Sequence, residues 1–115
     1  MKSLSIYAAI LFSMFTTNLF AQANVKKETI KVWGNCGMCK TKIEKAAKQA
    51  GAKTALWNEE TKELKVSYVA KKTSNKKIQQ AIVGVGYDTQ DFTADDKVYN
   101  KLHGCCQYER KAKSN

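Results

Sequence analysis

The sequence predicts an α+β fold, a ferredoxin-like βαββαβ sandwich with a four-stranded antiparallel sheet and two helices on one face. Three observations carry this. Two stretches place apolar residues at i, i+3, i+4 and i+7, namely Ile43, Ala46, Ala47, Ala50 and Ile78, Ala81, Ile82, Val85. That is the period of a helix with one buried stripe. Short alternating runs flank both stretches, as half-buried strands do. Two of these runs lie together between the helices, joined by the polar segment Asn58-Glu59-Glu60-Thr61-Lys62, which gives the split βαβ order.

Taken in order, residues 24–28 are a polar lead. Thr29-Ile30-Lys31-Val32-Trp33 alternates as the first strand. Gly34-Asn35-Cys36-Gly37-Met38 breaks that pattern as a tight loop, and residues 39–50 follow as a helix stopped by Gly51. Residues 53–57 form a second strand, and Leu64, Val66 and Tyr68 alternate with Lys65 and Ser67 in a third. Ser74 is a favourable cap for the second helix, which Gly84 and Gly86 end before a last strand over residues 87–92. The domain therefore spans residues 24–93. Residues 94–115 extend it with a short helix capped by Asp95, the run His103-Gly104-Cys105-Cys106 and a basic end.

The first 23 residues stand apart. Lys2 precedes an apolar stretch from Ile6 to Phe20 that closes on Ala21-Gln22-Ala23. These are the three parts of a secretory signal peptide. Ser13, Thr16, Thr17 and Asn18 interrupt the run, which falls short of the roughly 20 apolar residues that span a bilayer. Cleavage after Ala23, or after Ala21, leaves a periplasmic or secreted protein with no stable membrane insertion. Thiols in such a compartment tend to be oxidised. The 115-residue chain has room for one domain. Its 43% hydrophobic and 26% charged content excludes wholesale disorder.

Cys36 and Cys39 bracket the junction of the first strand and first helix, so both sulfurs reach one point as the loop turns. Exposed N–H groups and the positive helix end favour thiolate there, with Lys40 and Lys42 adding charge. A dithiolate suits Cu(I) or another soft ion over Mg or Ca, whereas a closed zinc site takes two further ligands. The pair alone leaves three readings open: metal ligand, structural disulfide and redox dithiol.

The segment from Gly34 through Cys36-Gly37-Met38-Cys39-Lys40 to Ala46 resembles the metal-binding signature of the heavy-metal-associated domain family. That family includes copper chaperones, metal-binding domains of copper-exporting P-type ATPases, and the periplasmic mercuric-ion-binding protein. The resemblance continues through Gly51, Asn58, the Lys65-Val66-Ser67-Tyr68 strand and residues 78–82 to Gly86-Tyr87-Asp88, covering about residues 28–92. It implies a ferredoxin-like fold and a metal held by Cys36 and Cys39. It also places Tyr87 where an aromatic or basic residue often lies near the metal; the plainer reading of Tyr87 is a half-buried aromatic. One feature departs from the family, which has a Met after the loop glycine, buried beneath the loop. Asn35 stands there, and the nearby Met38 lies between the cysteines. Either Trp33 supplies the missing packing or the loop is set differently. Met38 reads as loop filler or as a thioether donor to copper.

Trp33-Gly34-Asn35-Cys36-Gly37-Met38-Cys39-Lys40 is also similar to a thioredoxin-type active site, so a thiol–disulfide oxidoreductase is the alternative function. The chain has no proline to set against the dithiol by a favourable cis bond, and the ββ hairpin after the first helix is misplaced for that fold. In the tail, Cys105, Cys106 and His103 are additional metal ligands if the segment folds back to the loop. The competing reading is a disulfide with the loop or another chain, or plain exposure, and four cysteines permit three pairings. A bond between the adjacent Cys105 and Cys106 is disfavoured by strain.

The balance of 20 basic against 10 acidic residues makes the chain strongly basic. Export argues against nucleic acid as a partner, and an acidic metal-transporter domain or other metal acceptor fits the charge. The expected protein is a metal carrier or buffer rather than an enzyme, with Cu(I) as first cargo, Hg(II) second and Zn(II) third.

Overall fold

Strand β1 (Val25–Lys31) runs antiparallel to β3 (Glu63–Val69), in register from Val25 opposite Val69 to Lys31 opposite Glu63. On the other side of β3 lies β2 (Thr54–Trp57), also antiparallel, with Trp57 opposite Leu64. These elements come from a computed structural model that describes residues 24–112. The expected signal peptide lies outside the described residues. Alternation decides which side chains face inward: Ile30, Leu64, Val66, Tyr68, Ala55 and Trp57 are buried, while Lys65 and Leu56 face outward. The polar lead joins the first strand, because Val25 to Glu28 pair with Val69 to Val66.

Helix α1 (Gly37–Gln49) buries Cys39, Ile43, Ala46 and Ala47, and α2 (Asn75–Gly84) buries Ile78, Gln79 and Ile82. The Ser74 hydroxyl caps α2 by accepting from the Lys77 N–H at 3.2 Å. Gly51 follows α1 at φ +108°, a left-handed conformation that a side chain rarely adopts.

The fourth strand is reduced. Residues 87–92 form a single antiparallel bridge, Val32 opposite Thr89, on the side of β1 away from β3. The Trp33 N–H donates to the Asp88 carbonyl and the Gln90 N–H to the Lys31 carbonyl, each at 2.9 Å. The ladder stops there because its remaining polar groups are engaged locally. The Thr89 N–H turns back to the Phe92 carbonyl, the Thr89 hydroxyl donates to Gln79, and the Asp88 carboxylate takes the Ala94 N–H. Side chains of this kind compete with sheet hydrogen bonds.

Beyond Thr93 the chain joins the body of the domain. Asp95 caps α3 (Asp96–Asn100), and a 3₁₀ turn (Gly104–Cys106) follows. Leu102, Cys106 and Tyr108 are buried in the same core as Ile30, Ile43 and Ile82. Among the described residues no helix is long and apolar enough to cross a membrane.

Candidate metal centre

The loop from β1 to α1 is fixed from below. Gly34 packs on the Trp57 ring so closely that an added Cβ would lie 2.9 Å from Trp57 Cζ2 and 3.1 Å from Ile43 Cδ1. Trp57 is itself buried and donates its indole N–H to the Val32 carbonyl at 3.0 Å. The Lys62 ammonium donates to the Gly34 carbonyl at 2.8 Å. The residue beneath the loop is therefore Trp57, supplied by β2. Trp33 is only partly buried, with the Lys31 and Lys111 ammonium groups 5.8 and 5.9 Å from its ring centroid.

On this base α1 begins two residues earlier than its apolar period suggests, which makes Cys36 the N-cap. Cys36 Sγ is partly exposed and lies 3.9 Å from the buried Cys39 Sγ, and both are free thiols. The backbone N–H groups of Cys39 and Met38 hold the Cys36 thiol below its ordinary pKa. Lys40 is directed elsewhere, pairing with Glu44 and donating to the Trp57 carbonyl. Helix-end N–H groups, rather than that lysine, thus favour the thiolate.

The tail brings in a third sulfur. The Sγ atoms of Cys36, Cys39 and Cys106 all lie within 4.8 Å of one another. Cys106 is fully buried, and burial together with Cys39 pushes its thiol up to about 12. Cys105 faces outward. Its Sγ is 3.5 Å from the sulfur of the exposed Met38, and its carbonyl accepts from Asn35 Nδ2 at 3.1 Å and from Cys36 Sγ at 3.5 Å. His103 is exposed at the start of the 3₁₀ turn and does not join the three-sulfur group. Tyr87 is fully buried beside Cys39 and Cys106, and its hydroxyl makes no hydrogen bond. Burial, then Cys39, hold its phenol well above the ordinary tyrosine range.

Sequence reasoning missed the residues that hold the tail in place. Tyr108 stacks on Tyr87 with ring centroids 5.5 Å apart, accepts from the Asp88 N–H at 2.7 Å and donates to the Gly86 carbonyl at 2.8 Å. The available signal was faint: Cys106 and Tyr108 alternate with Gln107 and Glu109 in an otherwise polar segment.

A ferredoxin-like domain that presents clustered thiols at a helix N-terminus is the class this geometry defines. Neither a family model nor a curated protein matches the chain. Solved structures do. The CopZ metallochaperone is 32% identical, with a TM-score of 0.53, over 98% of its own chain and 56% of this one. The N-terminal domain of the zinc(II) ATPase ZiaA in its apo form is 29% identical, with a TM-score of 0.50, over 80% of its chain and 79% of this one. An ATPase N-terminal domain from Bacillus subtilis in the Cu(I)-loaded state shares the fold at 24% identity and a TM-score of 0.52, over 98% of its chain and 62% of this one. The chain belongs to the heavy-metal-associated domain family.

Proposed function

We propose that this protein captures a soft, thiophilic metal ion at Cys36 and Cys39 and then buffers it or passes it on. One observation carries this reading: two free thiols 3.9 Å apart at a helix N-terminus, one partly exposed and one buried. Thiolates select soft ions over hard ones, so Cu(I) is the first cargo, Hg(II) the second and Zn(II) the third. Similarity to the CopZ metallochaperone supports the carrier role.

Transfer proceeds by ligand exchange. An incoming partner thiolate bonds to the metal as the bond to one loop sulfur breaks. Cys36 is the loop sulfur that solvent reaches, so it is the one exchanged first, while the buried Cys39 holds on. The dithiol in this reading is a binding group and not a redox catalyst. The signal-like residues 1–23 support work in the periplasm or outside the cell. An excess of 10 positive charges supports docking to an acidic metal-transporter domain or other acceptor. Added salt should therefore slow transfer.

Titration of the reduced protein with Cu(I) against a chromophoric chelator tests the site. One ion should bind per chain, and Cys36→Ser/Cys39→Ser should abolish tight binding. Disulfide exchange activity in a protein that takes up no metal would favour the oxidoreductase instead.

A further inference from the structure

We infer that Cys106 is a third protein ligand, so that the C-terminal segment closes the metal site as a three-sulfur centre; this rests on the carrier reading above. The three Sγ atoms lie within 4.8 Å of one another. With metal–sulfur bonds of about 2.3 Å, three sulfurs around one ion stand about 4.0 Å apart, and two in a line about 4.6 Å. The Cys36–Cys39 separation of 3.9 Å matches the three-coordinate spacing.

The third sulfur is held in position by built contacts. The Cys106 N–H donates to the His103 carbonyl at 2.7 Å within the 3₁₀ turn. Two residues on, Tyr108 is buried and hydrogen-bonded to both Asp88 and Gly86. Arg110 then clamps the segment to the Asp88 carboxylate. A second observation points to the same place. Tyr87 is fully buried, its hydroxyl has no hydrogen-bond partner, and the polar groups beside it are the Cys39 and Cys106 thiols. A thiolate there accepts that orphaned O–H, and buried polar groups in folded proteins are nearly always partnered.

The consequence is chemical selectivity. Among the described residues no fourth His, Cys, Asp or Glu joins the group. Structural zinc takes four ligands, so a three-sulfur centre favours Cu(I) or Hg(II). It also retains cargo more firmly than a two-sulfur loop, since Cys106 has to let go before transfer completes.

X-ray absorption at the copper edge of the Cu(I)-loaded, full-length chain, with chelator competition, tests this. The wild-type protein should show three sulfur neighbours. Cys106→Ser and Cys106→Ala should show two, with affinity lower by at least about tenfold, the loss seen when even an outer-shell partner of a metal is removed. Cys105→Ser should keep three. Two sulfurs in the wild-type protein, or an equal loss in Cys105→Ser, would overturn the assignment to Cys106 and leave the loop site standing. Undiminished binding by Cys36→Ser/Cys39→Ser would instead overturn the carrier reading itself. If a Cys106 variant folds poorly, the wild-type count and Cys105→Ser still test the assignment: two sulfurs in the wild type, or a third lost in Cys105→Ser, overturns it.

Discussion

Arg110 grips both carboxylate oxygens of Asp88, Nε to Oδ2 at 3.0 Å and Nη2 to Oδ1 at 2.8 Å. The Asp88 side chain is almost wholly buried and Arg110 is mostly so. The pair ties the extension to the segment that carries Tyr87, one residue before Asp88. Without Arg110 a buried carboxylate is left with the Ala94 N–H and no countercharge. Arg110→Ala should cost about 2–4 kcal/mol in urea unfolding at neutral pH. A loss within the range of an ordinary surface pair, under about 1 kcal/mol, would mean the clamp does not hold the tail.

The same pair sets a pH dependence. Burial pushes the Asp88 carboxyl up, but Arg110 and the Ala94 N–H outweigh it, and the group ionises below the usual carboxylate range. A carboxyl lowered in the folded state stabilises the fold above its unfolded pKa, about 3.9. That contribution fades as pH falls through the lower folded value. The stability difference between wild type and Asp88→Asn should thus be full at neutral pH and shrink below about pH 4. Measuring the difference removes the parallel effects of Glu28 and Glu44, which are lowered too. A difference that stays flat with acidification would contradict the ion-pair account.

Much of this was legible in the chain. The period of Ile43, Ala46 and Ala47 gave α1, that of Ile78 and Ile82 gave α2, and Leu64, Val66 and Tyr68 gave β3, because burial of one face imposes a local repeat. The loop cysteines could be found for the same reason: a strand-to-helix junction is a local feature. The fourth strand misled because the Asp88 and Thr89 side chains take hydrogen bonds that alternation alone assigns to a ladder. Trp57 beneath Gly34 and the tail's seat on Asp88 were hidden for a different reason. Both are long-range contacts made by single residues, and the alternation of Cys106 and Tyr108 with Gln107 and Glu109 is too short to mark a buried face.

Gly34 offers a direct test of the loop's support. An Ala there places its Cβ 2.9 Å from the Trp57 ring, and that ring is buried and hydrogen-bonded to Val32. Either the loop lifts or the ring shifts and strains its hydrogen bond to the Val32 carbonyl. Gly34→Ala should destabilise the domain by about 1–3 kcal/mol, the usual cost of overpacking. Because Cys36 lies two residues on, Cu(I) affinity should fall with it. Unchanged stability together with unchanged affinity would show that the loop does not depend on this contact.

Tyr87 separates stability from metal binding. Its hydroxyl is buried without a partner, a situation that costs about 1–3 kcal/mol. Tyr87→Phe removes the orphan while keeping a ring to stack on Tyr108. The metal-free variant should therefore be as stable as wild type or more stable, by up to about 1 kcal/mol. The loaded protein should respond in the opposite sense. If the hydroxyl donates to a metal-bound sulfur of Cys39 or Cys106, its loss should weaken Cu(I) binding by about tenfold. Thermal unfolding with and without Cu(I) reads both effects at once. A destabilised metal-free variant would show that the hydroxyl already has a partner, and a rise in the metal-free midpoint with no loss of affinity would confine Tyr87 to packing.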